Sequence, residues 1–166
     1  VTPIGKIIRK YKIDELSQLL NVFIGDMSLV GPRPQVINAV NDYTDEESLL
    51  LNVRPGITDF SSIIFSDEGS ILEGSKNPDL DYDQLIRPWK SRLGLFYIDN
   101  RSFWLDIKII LLTVLSIFYR DYVLIIISNI LRDLNADLQL IEVSKRKNNL
   151  VPHPPPGTDN IVTYKD

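Results

Sequence analysis

The chain has 166 residues, with 18 Lys and Arg against 22 Asp and Glu, a formal charge of −4, and 44% hydrophobic residues. It holds no cysteine and a single histidine, His153, which excludes disulfides, thiolate metal sites, cysteine nucleophiles and a histidine-based metal cluster. Its mild acidity argues against a nucleic-acid binder, whose footprint would be basic, and it is too apolar to be disordered throughout.

The length suits one domain, or one domain with a tail. The first residue is Val1 rather than Met, and no signal-peptide pattern follows, so the chain reads as a fragment of something longer. Leu16, Leu19, Leu20 and Phe23 recur at helical spacing, with Gly25 as the stop and Asp14 and Glu15 in the first turn. Met27 to Val30 reads as a short strand, and Gly31-Pro32-Arg33-Pro34 as a rigid turn. Pro34 then opens a helix through Val36, Ile37 and Val40. Thr44 and Glu47 fit a capping box ahead of Leu49-Leu50-Leu51, and that helix must stop before Pro55.

Arg54 to Thr58 reads as a turn into extended chain, Ile63-Ile64-Phe65 as a strand, and 66–84 as loop with one helical turn. A long helix begins near Ser102, with Phe103, Ile107, Ile110, Leu111, Val114 and Phe118 at helical spacing. Its polar edge is Asp106, Thr113, Ser116 and Arg120. A second apolar stretch runs from Tyr122 to Leu131, and neither stretch reaches the ~18 uninterrupted apolar residues of a membrane span. A helix apolar over most of its girth is either buried in a core or lies in a lipid interface. The domain is thus assigned to residues 1–143, and 144–166, with Lys145-Arg146-Lys147 and a proline run around His153, to a mobile tail. The basic triplet is a solvated patch or a contact for anionic headgroups.

Among candidate site residues, Arg33 stands first. Pro32 and Pro34 fix the backbone around it, and a planar, permanently charged fork of donors is what phosphate recognition asks for. The bland reading is an arginine bracing a turn. Arg54 with Gly56 is a weaker version of the same idea, since Pro-Gly is also a common turn pair. Asp14 and Glu15 are adjacent carboxylates, the residue types of a nucleophile and a base; as neighbours on a helix they point about 100° apart, which favours a first-turn capping role. Asp106 is placed to pair with a cation or a metal. No Walker, GxGxxG, GxSxG or metal-ligand spacing occurs.

Taken together, Ile13-Asp14-Glu15-Leu16, Gly25-Asp26-Met27-Ser28-Leu29-Val30-Gly31-Pro32-Arg33-Pro34, Arg54-Pro55-Gly56-Ile57-Thr58 and Asn100 to Lys108 closely resemble the bacterial sugar transferase family. These are monotopic polyprenyl-phosphate phosphoglycosyl transferases that start capsule, exopolysaccharide and O-antigen assembly. The resemblance runs from about Thr2 to Arg120. It implies transfer of a phospho-sugar from a UDP-sugar to polyprenyl (undecaprenyl) phosphate with release of UMP, a glycosyl-1-phosphate transferase reaction using an Asp-Glu dyad and Mg²⁺. It also implies residence on the cytoplasmic face of the inner membrane, in contact with inner-leaflet lipid, and leaves room for a homodimer. By the resemblance Arg33, Arg54, Pro32, Pro34, Gly56 and Thr58 are expected at the substrate phosphates. Asp14, Glu15 and Asp106 are expected in supporting roles.

The expectation is that the family's dyad and membrane-penetrating helix fall before Val1, so that the 166 residues alone do not complete catalysis. The alternative is a non-catalytic phosphate-binding or membrane-surface module. Two departures stand out. Lys12 replaces the Ser that would cap the first helix, a loss of ~0.5–2 kcal/mol. The chain also continues Thr58 as Asp59-Phe60-Ser61-Ser62-Ile63 rather than toward a Gly-Arg, which shifts phosphate binding onto Arg33 and Arg54. The fold expected is a helix-rich α/β domain with a few short strands and amphipathic interfacial helices, without long alternating βαβ units.

Overall fold

A computed structural model describes residues 18–163. Lys12, Asp14, Glu15 and Leu16 lie outside them. Helix α1 (Gln18–Ile24) stops where the sequence predicts, because Gly25 takes a positive φ of 97° and Asn21 O accepts from the amides of Gly25, Asp26 and Met27. Strand β1 (Ser28–Val30) follows, then the short helix α2 (Ile37–Asn41) and a 3₁₀ segment (Glu47–Asn52). Pro34 does not open α2; the helix starts after Val36, leaving Arg33 and Pro34 in extended chain.

Strand β2 (Gly56–Thr58) pairs with β1 in parallel, Ser28 against Gly56 and Val30 against Thr58. The strands meet unusually closely at Gly31 and Gly56. A Cβ on Gly56 would stand 2.1 Å from Gly31 N and 2.5 Å from its carbonyl oxygen. Gly56 is therefore required by the close approach of Gly31.

The predicted strand at Ile63-Ile64-Phe65 is instead α3 (Phe60–Ile64). Asp59 and Ser62 form a reciprocal capping box, with Asp59 Oδ1 accepting from Ser62 N at 2.7 Å and Asp59 N donating to Ser62 Oγ at 3.0 Å. That local cap and complete burial of Phe60, Ile63 and Ile64 override the β-branched propensity.

Two short helices, α4 (Glu68–Ile71) and α5 (Pro78–Asp81), occupy the predicted loop. A π-helical turn (Tyr82–Ile86) leads into α6 (Arg87–Asn100), which the hydrophobic pattern did not disclose. Its buried face mixes Arg87, Ser91 and Gly94 with Trp89, Leu93 and Tyr97, so no clean apolar stripe marks it. The long helix α7 (Phe103–Asp133) is capped by Ser102 and kinks at Tyr119, whose φ of −135° and ψ of 53° are not helical. Helix α8 (Leu138–Ser144) closes the order. The core, Phe60, Ile63, Ile64, Ile86, Leu93, Ile109, Ile127 and Leu131, lies where α3, α6, α7 and α8 meet. The architecture is helix-rich α/β, as expected.

Residues 145–163 differ from a mobile tail: they run back over α6. His153 stacks on Trp89 (centroids 4.4 Å apart, planes 8° apart), and His153 N donates to Gln84 O. Arg92 Nη1 donates to Pro154 O at 2.8 Å, and Thr44 Oγ1 donates to Pro156 O at 2.6 Å. Prolines lose little entropy on docking, which makes such a segment a cheap strap.

Candidate active site

The floor of the site is a buried ion pair. Glu47 is fully buried, and four donors converge on its carboxylate: Arg87 Nε (3.1 Å) and Ser91 Oγ (2.7 Å) on Oε1, Arg87 Nη2 (2.6 Å) and Thr44 N (3.1 Å) on Oε2. Glu47 N donates in turn to Thr44 Oγ1 at 3.1 Å, so the predicted capping box exists, with a second task for its acid. Burial works to depress the Arg87 guanidinium, but the hydrogen bond and charge of Glu47, with Asp83 and Asp42, carry it above its ordinary value. Sequence periodicity showed the Thr44–Glu47 cap but not that Glu47 would be buried against a residue 40 positions on.

Above this floor opens a cleft of about 200 Å³ lined by Pro32, Arg33, Pro34, Tyr43, Tyr82, Arg87 and Lys90, among others. Arg33 is exposed and lines the opening; it is not folded into the core. Lys90 Nζ, paired with Glu68, lies 5.3 Å from the Tyr82 ring centroid. Burial first, and Glu47 second, push the Tyr43 hydroxyl up to about 12, so it stays a donor at neutral pH. Cations, a hydroxyl donor and two tyrosine rings around one opening suit a phosphate-bearing ligand with a flat base.

The other expected residues separate. Arg54 does not share the Arg33 cleft; it lines a second cavity of about 670 Å³, with Arg101, Tyr97 and Asp106. Gly56 and Thr58 line neither cavity. Thr58 is buried, its Oγ1 2.6 Å from Thr113 Oγ1, tying β2 to α7. Asp106 accepts from Tyr97 OH at 2.7 Å; burial, then that bond, hold the Tyr97 hydroxyl well above its usual range.

The polar edge of α7 therefore faces the domain. Asp106 meets Tyr97, Thr113 meets Thr58, and Arg120 donates to Ile64 O and Ser66 Oγ, each at 2.9 Å. On the opposite side Phe103, Trp104, Ile107, Leu111, Val114 and Phe118 are exposed, and at about 100° per residue they fall within an arc of about 100°. The helix is long and apolar enough to cross a membrane by length and composition, with a mean hydropathy of 2.0 over its best window.

The model of the family described as bacterial sugar transferase matches residues 1–120. The chain is 40% identical over 114 residues to the uncharacterized sugar transferase EpsL of Bacillus subtilis, covering 69% of this chain and 48% of that protein. It is 36% identical over 121 residues to the undecaprenyl-phosphate galactose phosphotransferase of Salmonella typhimurium, covering 73% and 22%. Against the UDP-glucose:undecaprenyl-phosphate glucose-1-phosphate transferase of Caulobacter vibrioides, identity is 37% over 125 residues, covering 73% and 42%. The chain belongs to the bacterial sugar transferase family.

It spans less than half the length of each of these relatives. The exposed stripe of α7 is compatible with membrane association. The metal that the resemblance implies is a different matter. Among the described residues no group of three or more His, Asp or Glu side chains is placed to hold an ion. Asp59 is taken by Ser61 and Ser62, and Glu47 by Arg87, Ser91 and Thr44. Residues 18–163 by themselves do not fit Mg²⁺.

Proposed function

We propose that the whole protein moves a sugar 1-phosphate from a UDP-sugar to polyprenyl phosphate, the first membrane step of a surface polysaccharide, and that this chain grips the donor. The observation carrying this reading is Arg33, exposed at the mouth of a cleft whose wall also holds Lys90, Tyr43 and Tyr82. Arg33 takes the diphosphate with its fork of donors. The tyrosine rings take the uracil, and the Glu47–Arg87 pair holds the wall rigid beneath them.

In chemical terms a carboxylate oxygen attacks the β-phosphorus and the bond to the α-phosphate breaks, releasing UMP. An oxygen of the lipid phosphate then attacks the same phosphorus and the carboxylate leaves. Arg33 offsets the charge spread over the transferring group. The acid lining the Arg33 cleft, Asp59, is taken by Ser61 and Ser62, so the attacking carboxylate is a further residue of the whole protein.

The protein rests on the cytoplasmic face of the inner membrane through the exposed stripe of α7, so that a lipid acceptor never has to leave the leaflet. Arg33→Ala in the whole protein should lower kcat/KM for the UDP-sugar by roughly 10²-fold or more. Wild-type kinetics from that variant would reduce Arg33 to a turn brace and remove the basis of this reading.

A further inference from the structure

We propose that the cavity between β1 and the start of α7 receives the phosphate of the acceptor lipid, gripped by Arg54 and Arg101, with the first units of its tail against Leu29, Ile107 and Ile110. The inference rests on the function proposed above and assigns residues to its second substrate.

Three observations converge. The cavity, at about 670 Å³, is larger than the Arg33 cleft and carries both guanidiniums on its lining. Arg54 and Arg101 are exposed and make no hydrogen bond or ion pair among the described residues, whereas Arg87, Arg92, Arg120, Arg132 and Arg146 are all engaged. In a chain of net charge −4, two uncommitted guanidiniums on one cavity are not a by-product of general basicity. One anion shares the wall: Asp106 takes the Tyr97 hydroxyl at 2.7 Å, and Arg101 lies close enough to act on Tyr97 electrostatically. The balance of the three charges remains positive.

The third observation is position. Phe103 and Ile107 belong both to this cavity and to the exposed apolar stripe of α7. An amphiphile with its tail in the leaflet therefore reaches the arginines by sliding along one continuous apolar surface. A water-soluble nucleotide sugar meets the Arg33 cleft instead. The two cavities share Val53 in their walls, and Gly31 of one adjoins Pro32 of the other. Both cavities therefore border the same turn, so that one carboxylate placed there meets the donor first and the acceptor phosphate after UMP has left.

The test uses the whole protein in lipid nanodiscs and the chain itself. Arg54→Gln and Arg101→Gln should each raise KM for undecaprenyl phosphate about tenfold or more and leave KM for the UDP-sugar within about twofold, with Arg101→Lys recovering part of the loss. Equal rises in both KM values would overturn the assignment. Saturable quenching of Trp104 by farnesyl phosphate, absent with farnesol and weakened about tenfold by Arg101→Gln, is expected of the chain alone. If both variants instead lose binding to phosphatidylglycerol vesicles as much as binding to farnesyl phosphate, the arginines form a bulk headgroup patch and the proposal falls. A wild-type protein with no transfer activity but Arg101-dependent farnesyl phosphate binding would sink the proposed function and keep this site.

Discussion

Arg87 Nη2 lies 2.6 Å from Glu47 Oε2, and the two side chains are 6% and 0% exposed. A pair this deep is costly to desolvate, so its worth shows mainly when it is broken. Glu47→Ala leaves the Arg87 guanidinium buried without its partner and should cost about 3–5 kcal/mol, read by urea or thermal unfolding. Glu47→Met with Arg87→Met should cost less than the two single changes added together. Full additivity would mean that the two side chains do not act as a pair.

Gly56→Ala places a methyl group within 2.1 Å of Gly31 N, so the parallel strands must part. The expected outcome is a loss above about 4 kcal/mol or failure to fold, by the overpacking mechanism. Gly69→Ala is the control: nothing lies within 4 Å of its added carbon, and it sits in helix α4, so the melting temperature should hold or rise slightly.

His153 is held below its ordinary pKa by burial first and by the neighbouring Arg92 second. The folded state thus binds the proton less readily than the unfolded state, whose value is about 6.5. The contribution of the strap to stability is complete above that value and is lost as pH falls through the folded pKa. Melting curves between pH 8 and pH 5 should therefore fall more steeply for the wild type than for His153→Phe, which keeps a ring on Trp89 but carries no titrating proton. Parallel curves would show that the stack is indifferent to charge.

Phe118 and Leu111 lie on the exposed stripe of α7. Replacing Phe118 with Glu should leave unfolding within about 0.5 kcal/mol. It should weaken flotation of the chain with anionic liposomes by roughly tenfold or more, because burial of one phenylalanine is worth about 1.5–3 kcal/mol. Unchanged flotation would detach the stripe from the membrane.

The motif Gly25 to Pro34, the capped start at Thr44–Glu47 and the helical period from Phe103 were legible because each depends on residues near one another in the chain. They determined the family and the helix-rich class; that Arg33 is exposed was for the structure to decide. Tertiary structure alone decided what those signals could not contain. Ile63 and Ile64 became helix because an aspartate cap and a fully buried site outweighed strand propensity. Glu47 became the floor of a cleft because Arg87 arrives from another helix. Arg33 and Arg54, alike in sequence context, came to line different cavities, the first with residues of α6 and the second with the start of α7. Local pattern specifies which faces are apolar and where helices stop; which face meets which, and so which arginine lines which cavity, is set by packing between segments distant in sequence.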